Sequence, residues 1–228
     1  MSEPGSRRGR AHDAKGAREA ILNAAEEVFA EHGFDGARID AIAAAAGYNK
    51  SLIFQYFGDK LGLYAQVVRR ADAEMSELQA QMMALLVEDN AAVDANKFRA
   101  LLRTFMNVYF DYLVKHPRFA RILVWEMAEG WQTMSKIFSQ RDMDDVIQFK
   151  PFLDKVQSAG LLRSTFDPMA QFMMIEFLYP CYMALIPMYQ LLLTGEDFSS
   201  GAALARAQEY IVEFILYGML ADPAEAKP

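Results

Sequence analysis

Apolar residues return every three or four positions along nearly the whole chain, and no run alternates with the period of two that a half-buried strand requires. The first stretch holds Ile21, Leu22, Ala25, Val28 and Phe29 and stops at His32-Gly33, where glycine can take a left-handed cap. A second, barely two turns long, holds Ile39, Ile42, Ala43 and Ala46 and ends at Gly47. Asn49, a good capping residue, then precedes a third helix, Lys50 to Phe57, in which Ile53 and Phe57 lie one turn apart and point inward together. Gly58-Asp59 breaks that helix, and Asp59 can cap a fourth running from Lys60 through Leu63, Tyr64, Val67 and Ala71 to about Leu86.

After a loop over Glu88 to Asp94, the pattern predicts helices at about Asn96 to Lys115, Arg118 to Glu129, Asp144 to Ala159, Pro168 to Leu193 and Ser199 to Leu220. Pro117, Gly160 and Gly195 punctuate them. The fold class is therefore all-α, with about nine helices. The expected organisation is a flexible basic tail over 1–14, a small helical domain over 15–75, a larger helical domain over 76–221 and a flexible tail over 222–228.

Composition narrows the setting. The single cysteine, Cys181, cannot form an internal disulfide, which suits a reducing compartment, and residues 1–15 contain no apolar run that could act as a secretion signal. A cytoplasmic location is expected. Phe177 to Leu193 carries no charged residue, yet it is shorter than the roughly 20 residues that span a bilayer and contains Pro180, Pro187 and Gln190. A buried or subunit-interface helix is expected there, and no membrane.

The formal charge of −7 is unevenly spread: residues 1–70 hold ten Lys/Arg against nine Asp/Glu, whereas residues 71–228 hold thirteen against twenty-one. Any contact with nucleic acid must come from the N-terminal part, where phosphate is repelled least. Catalytic chemistry is sparse. His12, His32 and His116 are far apart in sequence, Cys181 has no metal-ligand neighbour, and no phosphate-cradling glycine loop occurs. No enzyme activity, cofactor or metal is expected.

Two short helices about a glycine turn are the parts of a helix-turn-helix, whose second helix fits the DNA major groove. Helical bundles that bind nothing contain the same parts, so the spacing alone leaves both readings open. The run Gly33-Phe34-Asp35-Gly36-Ala37-Arg38-Ile39-Asp40-Ala41-Ile42-Ala43, followed by Ala46-Gly47-Tyr48-Asn49-Lys50-Ser51-Leu52-Ile53-Phe54-Gln55-Tyr56-Phe57-Gly58-Asp59-Lys60, resembles the TetR family signature. It has the helix-ending glycine with an aromatic, the Ile-Ala pair, Ala-Gly at the turn, Tyr-Phe closing the reading helix and Lys opening helix four.

The resemblance implies a DNA-binding transcriptional regulator, by the family's usual mode a repressor, acting as a homodimer on a double-stranded operator. It places DNA contacts on Lys50, Ser51, Leu52, Phe54 and Tyr56, with Arg38 and Lys60 on the flanking helices; Asn49 and Gln55 complete the candidate face. Lys50 can reach a guanine edge or a phosphate, and Tyr56 and Lys60 can each hold a phosphate. Arg38 and Leu52 stand where the family commonly has threonine or another small polar residue, so the reading face departs from the family's at these two positions. Arg7, Arg8 and Arg10 can form an arm along the DNA backbone or simply a solubilising tail.

The resemblance also implies an apolar effector pocket in the larger domain, for which Phe105, Tyr109, Trp125, Met173 and Glu176 are the candidates, and a small hydrophobic or aromatic ligand. The last two helices are too apolar for free surfaces and are the expected dimer interface. The competing reading is an interaction module that keeps the helix-turn-helix shape without binding DNA.

Overall fold

The computed structural model describes residues 5–71, 73, 94–138, 149–163 and 167–221, with side chains from residue 14 onward. Among them are α1 (Gly5–Gly36), α2 (Ile39–Ala46), α3 (Lys50–Phe57), α4 (60–71), α5 (Ala95–Lys115), α6 (Pro117–Ala128) and α7 (Met134–Ile137). Then come α8 (Lys150–Ser158), α9 (Pro168–Glu176), α10 (Leu178–Leu192) and α11 (Gly201–Met219). The described residues contain no strand, only one isolated antiparallel bridge between Leu162 and Leu220. The chain is all-α, as its periodicity predicts. The continuation of α4 toward Leu86, most of the Glu88–Asp94 loop, the start of the helix expected from Asp144 and the tail over 222–228 lie outside the described residues.

The chain divides into two compact units, Met1–Ala73 with Arg121–Ile137, and Glu74–Ala120 with Phe138–Pro228. The first thus takes in a later segment, the end of α6 with α7, that lies well beyond residue 75. Its core is the one the helical spacing predicts: Ile21, Leu22, Ala25 and Phe29 of α1, Ile42 of α2, Ile53 of α3, and Leu63 and Tyr64 of α4 are all buried. Each fully buried large apolar side chain contributes about 1.5–3 kcal/mol. Tyr64 meets the Phe29 ring edge-on at 4.8 Å and the Phe34 ring at 5.1 Å.

α1 begins at Gly5, well before Lys15, so the helix reaches back into the segment expected to be a tail. It is interrupted at Gly33, whose φ of 67° and ψ of −178° turn the chain toward α2. A Cβ there would lie 3.0 Å from the Trp125 ring, so glycine is required by space as well as by backbone angle. The Trp125 indole N–H donates to the Ala30 carbonyl at 3.2 Å. Beside it, fully buried Glu126 accepts from the Tyr64 hydroxyl at 2.6 Å and from the Met134 amide at 3.0 Å. Two donors on one carboxylate satisfy a group that would otherwise be costly to bury.

In the second unit α5 turns Phe98, Leu102, Met106, Tyr109, Phe110 and Leu113 inward, at spacings of three and four. Asp94 caps it, accepting from the Asn96 and Lys97 amides. The helix expected over Pro168 to Leu193 is two helices, broken at Phe177. Pro180 supplies the cause: it has no N–H for the Glu176 carbonyl and its ring crowds that oxygen. The second unit is further tied by Arg103 to Glu213 at 2.6 Å and by Gln208 to the Asn107 side chain at 3.2 Å.

Candidate nucleic-acid interface

The turn between α2 and α3 is built from local rules. Gly47 adopts a left-handed φ of 73°, and its amide reaches back to the Ala43 and Ala44 carbonyls. Nothing within 4 Å would meet a Cβ there, so only the backbone angle asks for glycine. Asn49 stops the turn and starts α3: its Oδ1 accepts from the Leu52 amide at 2.9 Å. Arg38 stands at the cap position of α2 in an extended conformation and makes no side-chain cap hydrogen bond.

With Ile53 and Phe57 buried, the 3.6-residue period puts Lys50, Ser51, Phe54 and Gln55 on the outer side of α3. All four are exposed, as are Arg38 and Asn49, while Leu52 and Tyr56 are half-buried at its edges. Phe54 is 45% exposed, an unusual placement for a phenylalanine on a helix with a well-buried opposite face. Of the nine residues named from the sequence, eight therefore gather on α3 and the turns that flank α2.

Lys60 behaves differently. Its Nζ donates to the Asp35 carbonyl at 3.2 Å and stands 4.7 Å from the centre of the Phe34 ring. Burial lowers its pKa, against the opposing pull of Asp35 and Glu129. It braces the loop before α2 from the start of α4. Asp59 caps α4 as expected, accepting from the Gly62 amide at 2.7 Å.

Two contributors carry no signal in the sequence. Asp40, in the first turn of α2, forms an ion pair with Lys50 across the turn. Both side chains are about half exposed, 57% and 49%, so the pair is worth no more than about 1 kcal/mol and leaves Lys50 available to a phosphate or base edge. Gly62 is the other: a Cβ on it would lie 2.1 Å from the Phe57 carbonyl oxygen, so α4 can approach the end of α3 only with glycine there. No local periodicity marks either residue.

The effector candidates separate. Trp125 belongs to the first unit, held by Ala30 and Gly33, because the end of α6 serves the core around α1. Phe105, Tyr109, Met173 and Glu176 belong to the second unit. Phe105 and Tyr109 stack at 6.3 Å, but Met173 is 48% exposed, and its neighbour Phe172 meets Phe105 at 5.2 Å instead. The face of α9 that turns to α5 carries Phe172 and Glu176, four residues apart, which leaves position 173 outside.

Comparison with known proteins agrees with this arrangement. The family description "Bacterial regulatory proteins, tetR family" matches residues 21–67, and "Tetracyclin repressor-like, C-terminal domain" matches residues 99–215. The HTH-type transcriptional repressor NicS of Pseudomonas putida is 30% identical over 175 residues, 76% of this chain and 77% of that protein. The HTH-type transcriptional repressor SCO4008 of Streptomyces coelicolor is 35% identical over 119 residues, 52% of this chain and 54% of that protein. Among solved structures, the fatty acid degradation regulator FadR of Bacillus halodurans shares the fold, with a TM-score of 0.59 at 20% identity over 88% of this chain and 98% of that one. A helix-turn-helix with its outer face exposed, followed by a matching C-terminal helical domain, makes this chain a DNA-binding transcriptional regulator of the TetR family.

Proposed function

We propose that the protein represses transcription from a twofold-symmetric operator in the cytoplasm, and that a small apolar ligand held in its second unit releases it. The observation that carries the DNA half of this reading is the outer side of α3, where Lys50, Ser51, Phe54 and Gln55 are exposed on a helix whose other side is core. Leu52 and Tyr56 extend it at the edges, Arg38 and Asn49 flank it, and Lys60 fixes the loop that presents α2.

One reading helix covers only a few base pairs, so two copies are needed, set about 34–36 Å apart to enter successive major grooves. TetR-family regulators act as dimers. The surface for pairing is on α10 and α11. Leu185, Met188, Leu191 and Leu192 are exposed on the first, at 45–73%, and Tyr210, Phe214 and Tyr217 on the second, at 60–71%. The stretch over Pro168–Leu192 is apolar and long enough to cross a membrane by composition, yet it is broken at Phe177. A second copy of the same two helices accounts for so much exposed apolar surface.

Footprinting on the intergenic DNA beside the protein's own gene tests the DNA half. Protection of two half-sites one helical turn apart is expected, with affinity falling steeply as salt rises. Lys50→Ala should weaken binding and, where the ammonium sits on a phosphate, lower the salt slope by about 1. Tyr56→Phe should weaken it without changing the melting temperature. Salt-independent binding, or unchanged affinity in both variants, would favour an interaction module over an operator-binding protein.

A further inference from the structure

The interior between α5 and the α9–α10 pair contains polar groups that the fold does not use. Tyr179 is fully buried; its ring meets Phe110 edge-on at 4.5 Å and Tyr109 at 6.1 Å, and its hydroxyl finds no hydrogen-bond partner among the described residues. Buried hydroxyls are rarely left so. Three residues earlier, at the end of α9, stands half-buried Glu176, close enough for its charge to act on Tyr109. Burial alone raises its pKa, with no cation among the described residues opposing the shift. The surroundings are the aromatic faces of Phe105, Tyr109 and Phe172.

From a carboxyl without a counter-charge, an orphaned hydroxyl and facing aromatic rings in one interior, we infer that the effector is a cation: an apolar amine or protonated nitrogen heterocycle whose charged nitrogen pairs with Glu176 beside the Tyr179 hydroxyl. This rests on the effector reading above and narrows it to one charge class. Three features favour a cation over a neutral or anionic ligand. The ionised carboxyl lacks only a counter-charge, and aromatic faces attract cations through their ring quadrupoles. The charge that acts on Tyr179, Asp111, is also negative. An anion would meet Glu176 with no cation among the described residues opposing it, and a neutral ligand would leave Glu176 uncompensated.

The test is calorimetric titration of the full-length dimer with matched probes: phenylpropylamine, cyclohexylmethylamine and naphthylmethylamine, each against its alcohol isostere, with phenylpropionate as the anionic control. At least one amine should bind about tenfold or more tightly than its alcohol, with phenylpropionate weakest. In Glu176→Gln the amine should lose that advantage, and Glu176→Met, which keeps the volume without a hydrogen-bonding head, should lose it too. Melting curves of the ligand-free variants show whether each is folded. Alcohols that bind as well as the amines, or an amine preference that survives both substitutions, would overturn the cation assignment while leaving an apolar effector site standing. If no probe of either series binds or changes the affinity for operator DNA, the effector reading falls and this assignment falls with it.

Discussion

One backbone oxygen decides what residue 62 can be. A methyl group at Gly62 would sit 2.1 Å from the Phe57 carbonyl, and neither α3 nor α4 can retreat without uncovering Phe57 and Leu63. Gly62→Ala should therefore cost at least about 2 kcal/mol in urea unfolding and weaken DNA binding through a displaced α3; a variant as stable as the parent would contradict the close approach. Asn49→Ala removes one cap hydrogen bond and should cost about 1 kcal/mol. Tyr179→Phe has the opposite sign. With no partner for its hydroxyl among the described residues, the tyrosine carries a desolvation cost that phenylalanine lacks, so the ligand-free variant should melt higher than the parent. Legibility at this scale follows sequence distance. The caps at Asn49 and Asp59 and the inward pair Ile53 and Phe57 act within one turn and could be read from residue type and spacing. Asp40 against Lys50, Gly62 against Phe57, and Trp125 against Ala30 join residues whose proximity only the folded chain creates.

At the scale of the element, hydrophobic spacing recovers each helix that has a clean apolar stripe and fails where the stripe is continuous. Over 168–192 almost every residue is apolar, so the pattern cannot show where the helix divides, and the division comes from Pro180 instead. On the helix before the break, position 173 is exposed while Phe172 meets Phe105 of α5. α11 is easier to interpret because its two sides differ: Ala203, Val212, Ile215, Leu216 and Met219 face its own core, while Tyr210, Phe214 and Tyr217 form an outer stripe, with Tyr210 and Phe214 stacked at 6.4 Å. Phe214→Glu places a charge on that stripe and none in the core. Light scattering should then report a monomer, and circular dichroism an unchanged helix content. Operator affinity should drop by about a hundredfold or more as the second half-site stops contributing. A dimer that persists in this variant would move the subunit interface elsewhere.

For the whole molecule, Glu176 should set how stability responds to pH. Its carboxyl is lifted from 4.5 to about 7 by burial, so between those values the folded chain holds a proton that the unfolded chain has released. Where the native state binds more protons, stability falls as pH rises. Below about 4.5 the group is protonated in both states and has no effect; above about 7 it is ionised in both, and the full cost of a carboxylate in an apolar interior applies. The span corresponds to at most about 3 kcal/mol, reduced by whatever solvent reaches the half-buried side chain. Glu129 is shifted in the same direction, first by burial and then by Asp35 and Glu126, and adds a smaller slope of the same sign. The phenols of Tyr109 and Tyr179 are pushed upward and stay neutral throughout this window. Subtraction isolates the group: urea unfolding of the parent and of Glu176→Gln at about pH 5, 6, 7 and 8 should give a difference that grows with pH up to about 7 and is then constant, the glutamine form being the more stable. Saturating amine should flatten the parent's trend, because a bound cation favours the ionised carboxylate and drives the proton off, leaving the folded and unfolded chains equally deprotonated at this group. A parent and variant with parallel profiles, with and without amine, would mean that this carboxyl is already solvated or paired and that the interior of the second unit carries no uncompensated acid.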